Sequence, residues 1–198
     1  MLTVLKKEVG GWREARRESA RASVLAAAWE LVREDGLAAL SLRELARRAG
    51  ITTPTVYAYF ESKNAIFDAM FAEAARAFVE LKAGLPVTDD PARDLLTEAE
   101  AFVRFCVEDV PRYQLLFQRS VPGFTPSPES YELAVSALAN TRELLARNGV
   151  HDPKYLDIWT AITTGLVDQQ VSNEPGGDRW TRLVEDVTQM FLARYAKA

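Results

Sequence analysis

From about Ala15 the apolar positions Val24, Ala28, Leu31 and Val32 recur with the 3.6-residue period of an amphipathic helix, and Gly36 supplies a left-handed stop. A longer stripe follows Ser62, with Phe67, Met70, Phe71, Ala74, Phe78 and Leu81 on one face and an end near Gly84 and Pro86. Beyond it, Asp90-Pro91, Ser127-Pro128 and Asp152-Pro153 each pair a capping side chain with a proline suited to the first helical position. They open expected helices over 90–109, 128–148 and 152–173, with stripes such as Leu95, Ala99, Phe102, Cys106 and Val110, or Leu156, Trp159, Thr163 and Leu166. Pro111 sets "PRYQLLFQR" apart as a short helix, and a last helix is expected over 178–195 with Trp180, Val184, Val187 and Phe191 inward. No alternating pattern of useful length suggests a strand, so the class is all-α, with about nine helices.

Between the first two stripes lies "SLRELARRAGITTPTVYAYFESK", which starts a helix, stops it and starts another. Ser41 and Glu44 have the spacing of a capping box, in which each side chain satisfies the other's free backbone donor. Gly50 is the expected stop, and Thr53-Pro54 a fourth cap-and-proline start. Two short helices crossing steeply over a glycine turn make a helix-turn-helix, whose second helix enters the major groove of DNA. With Val56 and Phe60 inward beside Leu42, Leu45 and Ile51, the outer face holds Thr52, Thr53, Thr55, Tyr57 and Tyr59. Hydroxyls reach phosphates and base edges, a threonine methyl can touch the thymine methyl, and Arg43, Arg47, Arg48 and Lys63 can neutralise phosphates.

Composition narrows the alternatives. With 48% hydrophobic and 26% charged residues the chain is neither disordered nor membrane-embedded, and no run nears the roughly 18 apolar residues of a spanning helix. Only "MLTVL" precedes Lys6 and Lys7, too little for a signal peptide, so a cytoplasmic location without membrane attachment is expected. The net charge of −4 is unevenly spread: residues 1–63 hold 11 Lys or Arg against 8 Asp or Glu, and the remainder hold 13 against 20. The excess cation therefore lies on the segment with the broken helix. In the N-terminal "MLTVLKKEVGGWREARR", Lys6, Lys7, Arg13, Arg16 and Arg17 fit equally an arm reaching DNA and a frayed solvated end.

The spacing G-x4-S-x3-L-A-x2-A-G-I-x4-V-Y-x2-F-x2-K, from Gly36 to Lys63, resembles the DNA-binding domain of the TetR family of bacterial transcriptional regulators. The resemblance covers about 50 residues closely. It implies a helix-turn-helix domain over 1–63 followed by a helical ligand-binding and dimerisation domain over 64–198. DNA contacts are then expected at Arg43, Thr52, Thr53, Thr55, Tyr57, Tyr59 and Lys63. Two positions depart from the family pattern: Tyr59 stands where histidine is commoner, and Pro54 where small residues are frequent.

The resemblance further implies a homodimer paired through its last two helices, with Ile162, Gly165, Leu166, Val184, Val187 and Phe191 at the interface, reading a palindromic operator in double-stranded DNA. It implies an enclosed effector pocket, for which the sequence offers Phe102, Phe105, Tyr113, Phe117, Phe124, Tyr131 and Trp159. The expected contacts are Phe102, Cys106, Tyr113, Phe117, Trp159 and Thr163, with Gln114 and Asn140 as further polar groups. A small apolar or aromatic molecule releasing a repressor is the expected function. The loop "SVPGFTPSP" is either an entrance flap or a connection.

Other classes have less support. The chain has no G-x-S-x-G, P-loop or C-x-x-C, and its one histidine, His151, sits in a turn, so neither catalysis, a metal site nor a cofactor is expected. Glu98 and Glu100, two apart, diverge on a helix and make no carboxylate pair. The remaining alternative is a helical small-molecule or partner-binding module without DNA binding, which predicts no salt-dependent affinity for DNA.

Overall fold

A computed structural model describes residues 2–196, with side chains described at Trp12 and from Glu14 onward. Lys6, Lys7 and Arg13, expected candidates for a DNA-reaching arm, lie outside the described side chains. Among the described residues all regular structure is helical: α1 Leu2–Asp35, α2 Leu42–Arg48, α3 Thr53–Tyr59, α4 Lys63–Ala83, α5 Pro91–Glu108, α6 Val110–Phe117, α7 Pro128–Arg147, α8 Lys154–Asn173 and α9 Val184–Tyr195. Helix α1 starts well before Ala15, because the run ahead of that residue carries no helix breaker strong enough to stop it; Gly10 and Gly11 weaken propensity without ending the hydrogen-bond ladder.

Several helix starts follow their caps. Asp90 accepts the amides of Ala92 and Arg93, Asp109 that of Arg112 at 3.2 Å, and Ser127 that of Ser130 at 3.2 Å. Two starts differ from expectation. Thr52, not Thr53, caps α3, which places Pro54 at the second helical position. Asp152 does accept the Lys154 amide at 3.0 Å, but α8 begins at Lys154, with Pro153 outside it. The last helix also begins later than Asp178: residues 181–183 form a single 3-10 turn ahead of α9. Buried Gln170 explains the delay, since its Oε1 accepts the Trp180 amide at 2.9 Å and its amide donates to the Glu174 carbonyl, fixing the connection in a non-helical path.

The chain divides into two compact units, residues 1–70 with 119–126 and residues 71–118 with 127–198. The division falls inside α4, beyond the boundary expected at Lys63. In the first unit α1 packs on α2 and α3, and its predicted stripe of Val24, Ala28, Leu31 and Val32 is buried together with Leu45, Val56, Phe60, Ile66 and Phe67. The Arg21 guanidinium lies 4.9 Å over the Phe60 ring, tying α1 to the end of α3. The segment 119–126 belongs to this unit: the Asn64 side chain donates to the Gly123 carbonyl at 3.2 Å, and the Phe124 ring lies 5.7 Å from that of Phe67. "SVPGF" is thus a docked connection.

The second unit is organised around α5, which packs on α6, α7, α8 and α9. Leu95, Ala99, Val103, Cys106, Tyr113, Trp159, Val167 and Phe191 share one core. Among the described residues no helix is long and apolar enough to cross a membrane, and no group of three or more metal-capable side chains occurs.

Candidate DNA interface and ligand cavity

Helix α2 opens with half of a capping box. The Glu44 amide donates to Ser41 Oγ at 3.2 Å, but the Glu44 carboxylate turns to Arg47, at 2.9 and 2.5 Å, instead of reaching back to the Ser41 amide. A charged donor in the next turn outcompetes a backbone amide that solvent can satisfy. The helix closes with Gly50 at φ 67°, the left-handed geometry that favours glycine; Ile51 N–H then reaches the Ala46 carbonyl at 3.0 Å and Gly50 N–H the Arg47 carbonyl at 3.3 Å. These two bonds form a Schellman stop, and they turn the chain straight into α3. Thr52 caps α3 through the Thr55 amide at 3.3 Å, while the two hydroxyls lie 2.8 Å apart.

Val56 and Phe60 are buried as expected, with Leu45 beneath them; Leu42 and Ile51 are half-buried at the rim. The opposite face carries exposed Thr52, half-buried Thr53, Thr55 and Tyr59, and Tyr57, which is 52% exposed. The arginines of α2 are not equivalent. Arg47 is held by Glu44, and Arg48 by Glu34 at 2.7 Å, and the hydrogen bonds from these arginines hold both carboxyls below the usual range. Arg43 is exposed and has no carboxylate partner among the described residues. Lys63 is half-buried at the start of α4, its ammonium 5.5 Å from the Phe67 ring. All seven residues expected at DNA therefore lie on α2, on α3 and its cap, or at the start of α4. The Thr52 and Thr55 hydroxyls bond each other, and the Arg43 guanidinium stays open to an outside partner.

The second unit holds a cavity of about 250 Å³, just below the roughly 300–1,000 Å³ typical of ligand sites. Phe78, Phe102 and Phe117 form an aromatic wall with ring centroids 5.5 to 5.9 Å apart, and Trp159 and Thr163 line it from α8. Four of the six residues expected at a ligand, Phe102, Phe117, Trp159 and Thr163, are in this wall. Cys106 and Tyr113 are not. Cys106 is fully buried in the core, where burial pushes its thiol pKa up, and Tyr113 is drawn away by Asp168, to which its hydroxyl donates at 2.5 Å. Burial, and then that same bond, raise the phenol pKa. Phe105 lies under Arg112 at 3.7 Å, Phe124 belongs to the first unit, and Gln114 and Asn140 do not line the cavity, whereas Tyr131 does.

The polar end of the cavity was not among the expected sites. Lys82 and Glu98 pair there at 2.5 Å, with Thr141 bonded to both. Each had a signal of its own: Lys82 follows Phe78 by four residues, and Glu98 stands between Leu95 and Phe102 on the buried stripe of α5. A charge on an apolar stripe asks for a partner, but the partner lies on another helix and leaves no periodic trace.

Of the residues expected at a dimer interface, Leu166, Val184 and Phe191 are buried within the single chain, while Ile162, Gly165 and Val187 are partly exposed. A Cβ added at Gly165 would meet nothing within 4 Å.

A short glycine-turned helix pair with an outward polar face, in one chain with an all-helical unit that holds an apolar cavity, is the architecture of a helix-turn-helix regulator. Residues 24–70 match the family model of bacterial regulatory proteins, tetR family. The HTH-type transcriptional activator FasR of Mycolicibacterium smegmatis is 31% identical over 117 residues, covering 57% of this chain and 53% of that protein. The class D tetracycline repressor protein of Escherichia coli is 43% identical over 53 residues, 27% of this chain and 24% of that one. In the FasR match the chain thus spans about half of its relative's length. The TetR family transcriptional regulator PfmR of Thermus thermophilus superposes with a TM-score of 0.66 at 22% identity, covering 88% of this chain and 99% of that one. A tetR-family regulator from Streptomyces coelicolor gives 0.70 at 20% identity, covering 89% and 80%. Over residues 24–70 the chain is thus similar to the TetR family of bacterial regulatory proteins, and over most of its length it shares the fold of solved TetR-family regulators.

Proposed function

We propose that this protein acts in the cytoplasm as a homodimeric repressor, binding a palindromic operator and released when a small apolar or aromatic molecule enters the cavity of the second unit. The observation that carries this reading is the outward face of α3 and its cap, where Thr52, Thr53, Thr55, Tyr57 and Tyr59 offer hydroxyls with Arg43 and Lys63 alongside. Paired recognition helices about one DNA turn, roughly 34 Å, apart would read the two half-sites. The open space at Gly165 favours pairing through α8 and α9, because a glycine in a helix interior costs about 1 kcal/mol against alanine and nothing within the described chain needs its smallness.

Release follows if the effector prefers a state in which α4 has swung and the recognition helices are respaced. A coupling of about 1–3 kcal/mol lowers operator affinity some 5- to 150-fold. The segment 119–126 supports a second route for that signal: it joins α6 and α7, which carry the cavity residues Phe117 and Tyr131, and its Gly123 and Phe124 hold Asn64 and Phe67 of α4.

The test is selection of bound fragments from the source genome by the purified protein, repeated with Tyr57→Ala and at raised salt. Enrichment of a palindrome, lost in the variant and weakened by salt, is expected. No enrichment by a folded dimer would leave the ligand-binding module as the reading. FasR's description as an activator favours a second sign of regulation, and transcription from the selected site with and without the protein decides between the two.

A further inference from the structure

The polar end of the cavity sets which chemical class it accepts. An ammonium has three N–H groups, and those of Lys82 all have acceptors inside the protein: Glu98 Oε1 at 2.5 Å, the Ala137 carbonyl at 2.8 Å and Thr141 Oγ1 at 2.6 Å. No donor of Lys82 remains for a ligand carboxylate or phosphate. Glu98 is differently placed. Its Oε1 accepts from Lys82 and from the Thr141 hydroxyl at 2.8 Å, but its Oε2 accepts nothing among the described residues, although the side chain is 5% exposed and lines the cavity. A carboxylate oxygen on the wall of a largely apolar cavity, with no donor from the protein, asks for one from a ligand.

Two further wall residues point the same way. The Thr163 hydroxyl donates to the Trp159 carbonyl at 3.0 Å and that of Thr160 to the Asp157 carbonyl at 3.0 Å, which leaves both oxygens free to accept. Lys82 and Glu98 are the one cation and the one anion among the described wall residues, and their charges cancel. A ligand with a net charge would enter an aromatic cavity without a counter-charge, which is costly.

We infer that the cavity takes a neutral, largely aromatic or alicyclic molecule whose hydroxyl or amide N–H donates to Glu98 Oε2, and that it rejects carboxylates of the same skeleton. This rests on the cavity being the effector site proposed above.

Calorimetric titration of the full-length protein at neutral pH with naphthalene, 2-naphthol and 2-naphthoate varies the polar group on one ring system. 2-Naphthol is expected to bind about tenfold or more tighter than either of the others, the factor a hydrogen bond to a charged acceptor supplies. Glu98→Gln removes the anion and leaves Lys82 charged, so 2-naphthoate should become the tightest of the three. The double variant Lys82→Met with Glu98→Leu holds no buried charge and should bind 2-naphthol and naphthalene alike, which keeps the inference testable if the single variant does not fold. Wild-type protein that prefers 2-naphthoate, or an order unmoved by either variant, overturns the assignment while leaving the effector site standing. If none of the three binds and operator affinity is unchanged in their presence, the effector-site reading falls and the assignment with it.

Discussion

In the unit made of residues 1–70 and 119–126, the side chains proposed to meet DNA stand in solvent: Tyr57 and Thr52 are exposed, and Arg43 has no carboxylate partner among the described residues. In the unit of residues 71–118 and 127–198, Lys82, Glu98 and Thr141 are buried and bonded to one another. On the proposed reading, the first unit leaves Arg43 and the hydroxyls of exposed Tyr57 and Thr52 to a polyanion that carries its own water and ions. In the second, the cluster of Lys82, Glu98 and Thr141 closes on itself except at Glu98 Oε2. Binding to DNA through exposed cations is salt-dependent and largely independent of sequence, whereas a cavity selects through a few fixed polar groups.

The sharpest way to break this contrast is to open the buried pair. Lys82→Met leaves Glu98 without its counter-charge and is expected to destabilise the protein by about 3–5 kcal/mol, read as a lower midpoint in urea unfolding. Replacing Glu98 by Leu in the same chain should recover most of that loss. If the single variant costs nothing, the pair is not behaving as a buried one.

Next comes the outer face. Arg43→Ala should weaken operator binding and lower the salt dependence by about one counterion. Arg47→Ala, whose guanidinium is already held by Glu44, should change either quantity much less. Equal effects would mean that the Arg47–Glu44 pair opens on DNA.

The smallest effect concerns acid. The Thr88 hydroxyl and amide, and then Arg147 at 2.7 Å, hold the Asp94 carboxyl below the usual range. A carboxylate with a lowered folded-state pKa contributes stability that is complete above its ordinary value of about 3.9 and is lost as pH falls through the lowered one. Asp94→Asn should therefore lower Tm at pH 7 and flatten the decline of Tm below about pH 4, a difference measurable by circular dichroism.

The two units also differ in how much of them could be read from the chain. The helix-turn-helix is legible because its determinants are consecutive: Ser41, Gly50 and Thr52 to Tyr59 act within a few residues of one another, so spacing alone carries the geometry. Even there Glu44 chose Arg47 over its box, a competition that spacing cannot resolve. The helices of the second unit were legible from caps and stripes, but its cavity was not. Lys82, Glu98 and Thr141 lie on α4, α5 and α7, and only packing reveals that one lysine serves two helices. Period alone does not select the wall for the same reason: Cys106, Tyr113 and Phe105 lie on helical stripes like Phe102 but do not line the cavity.

The segment 119–126 has a practical bearing on how this protein can be recombined. Because Gly123 and Phe124 complete the packing of Asn64 and Phe67 from far along the sequence, the DNA-reading unit is not a contiguous cassette. A chimaera that grafts residues 1–70 onto a foreign sensor would arrive with a bare Phe67 face. One that also carries residues 119–126 would bring its own plug, and sensor bodies whose equivalent connection already presents an aromatic residue there would be the natural recipients.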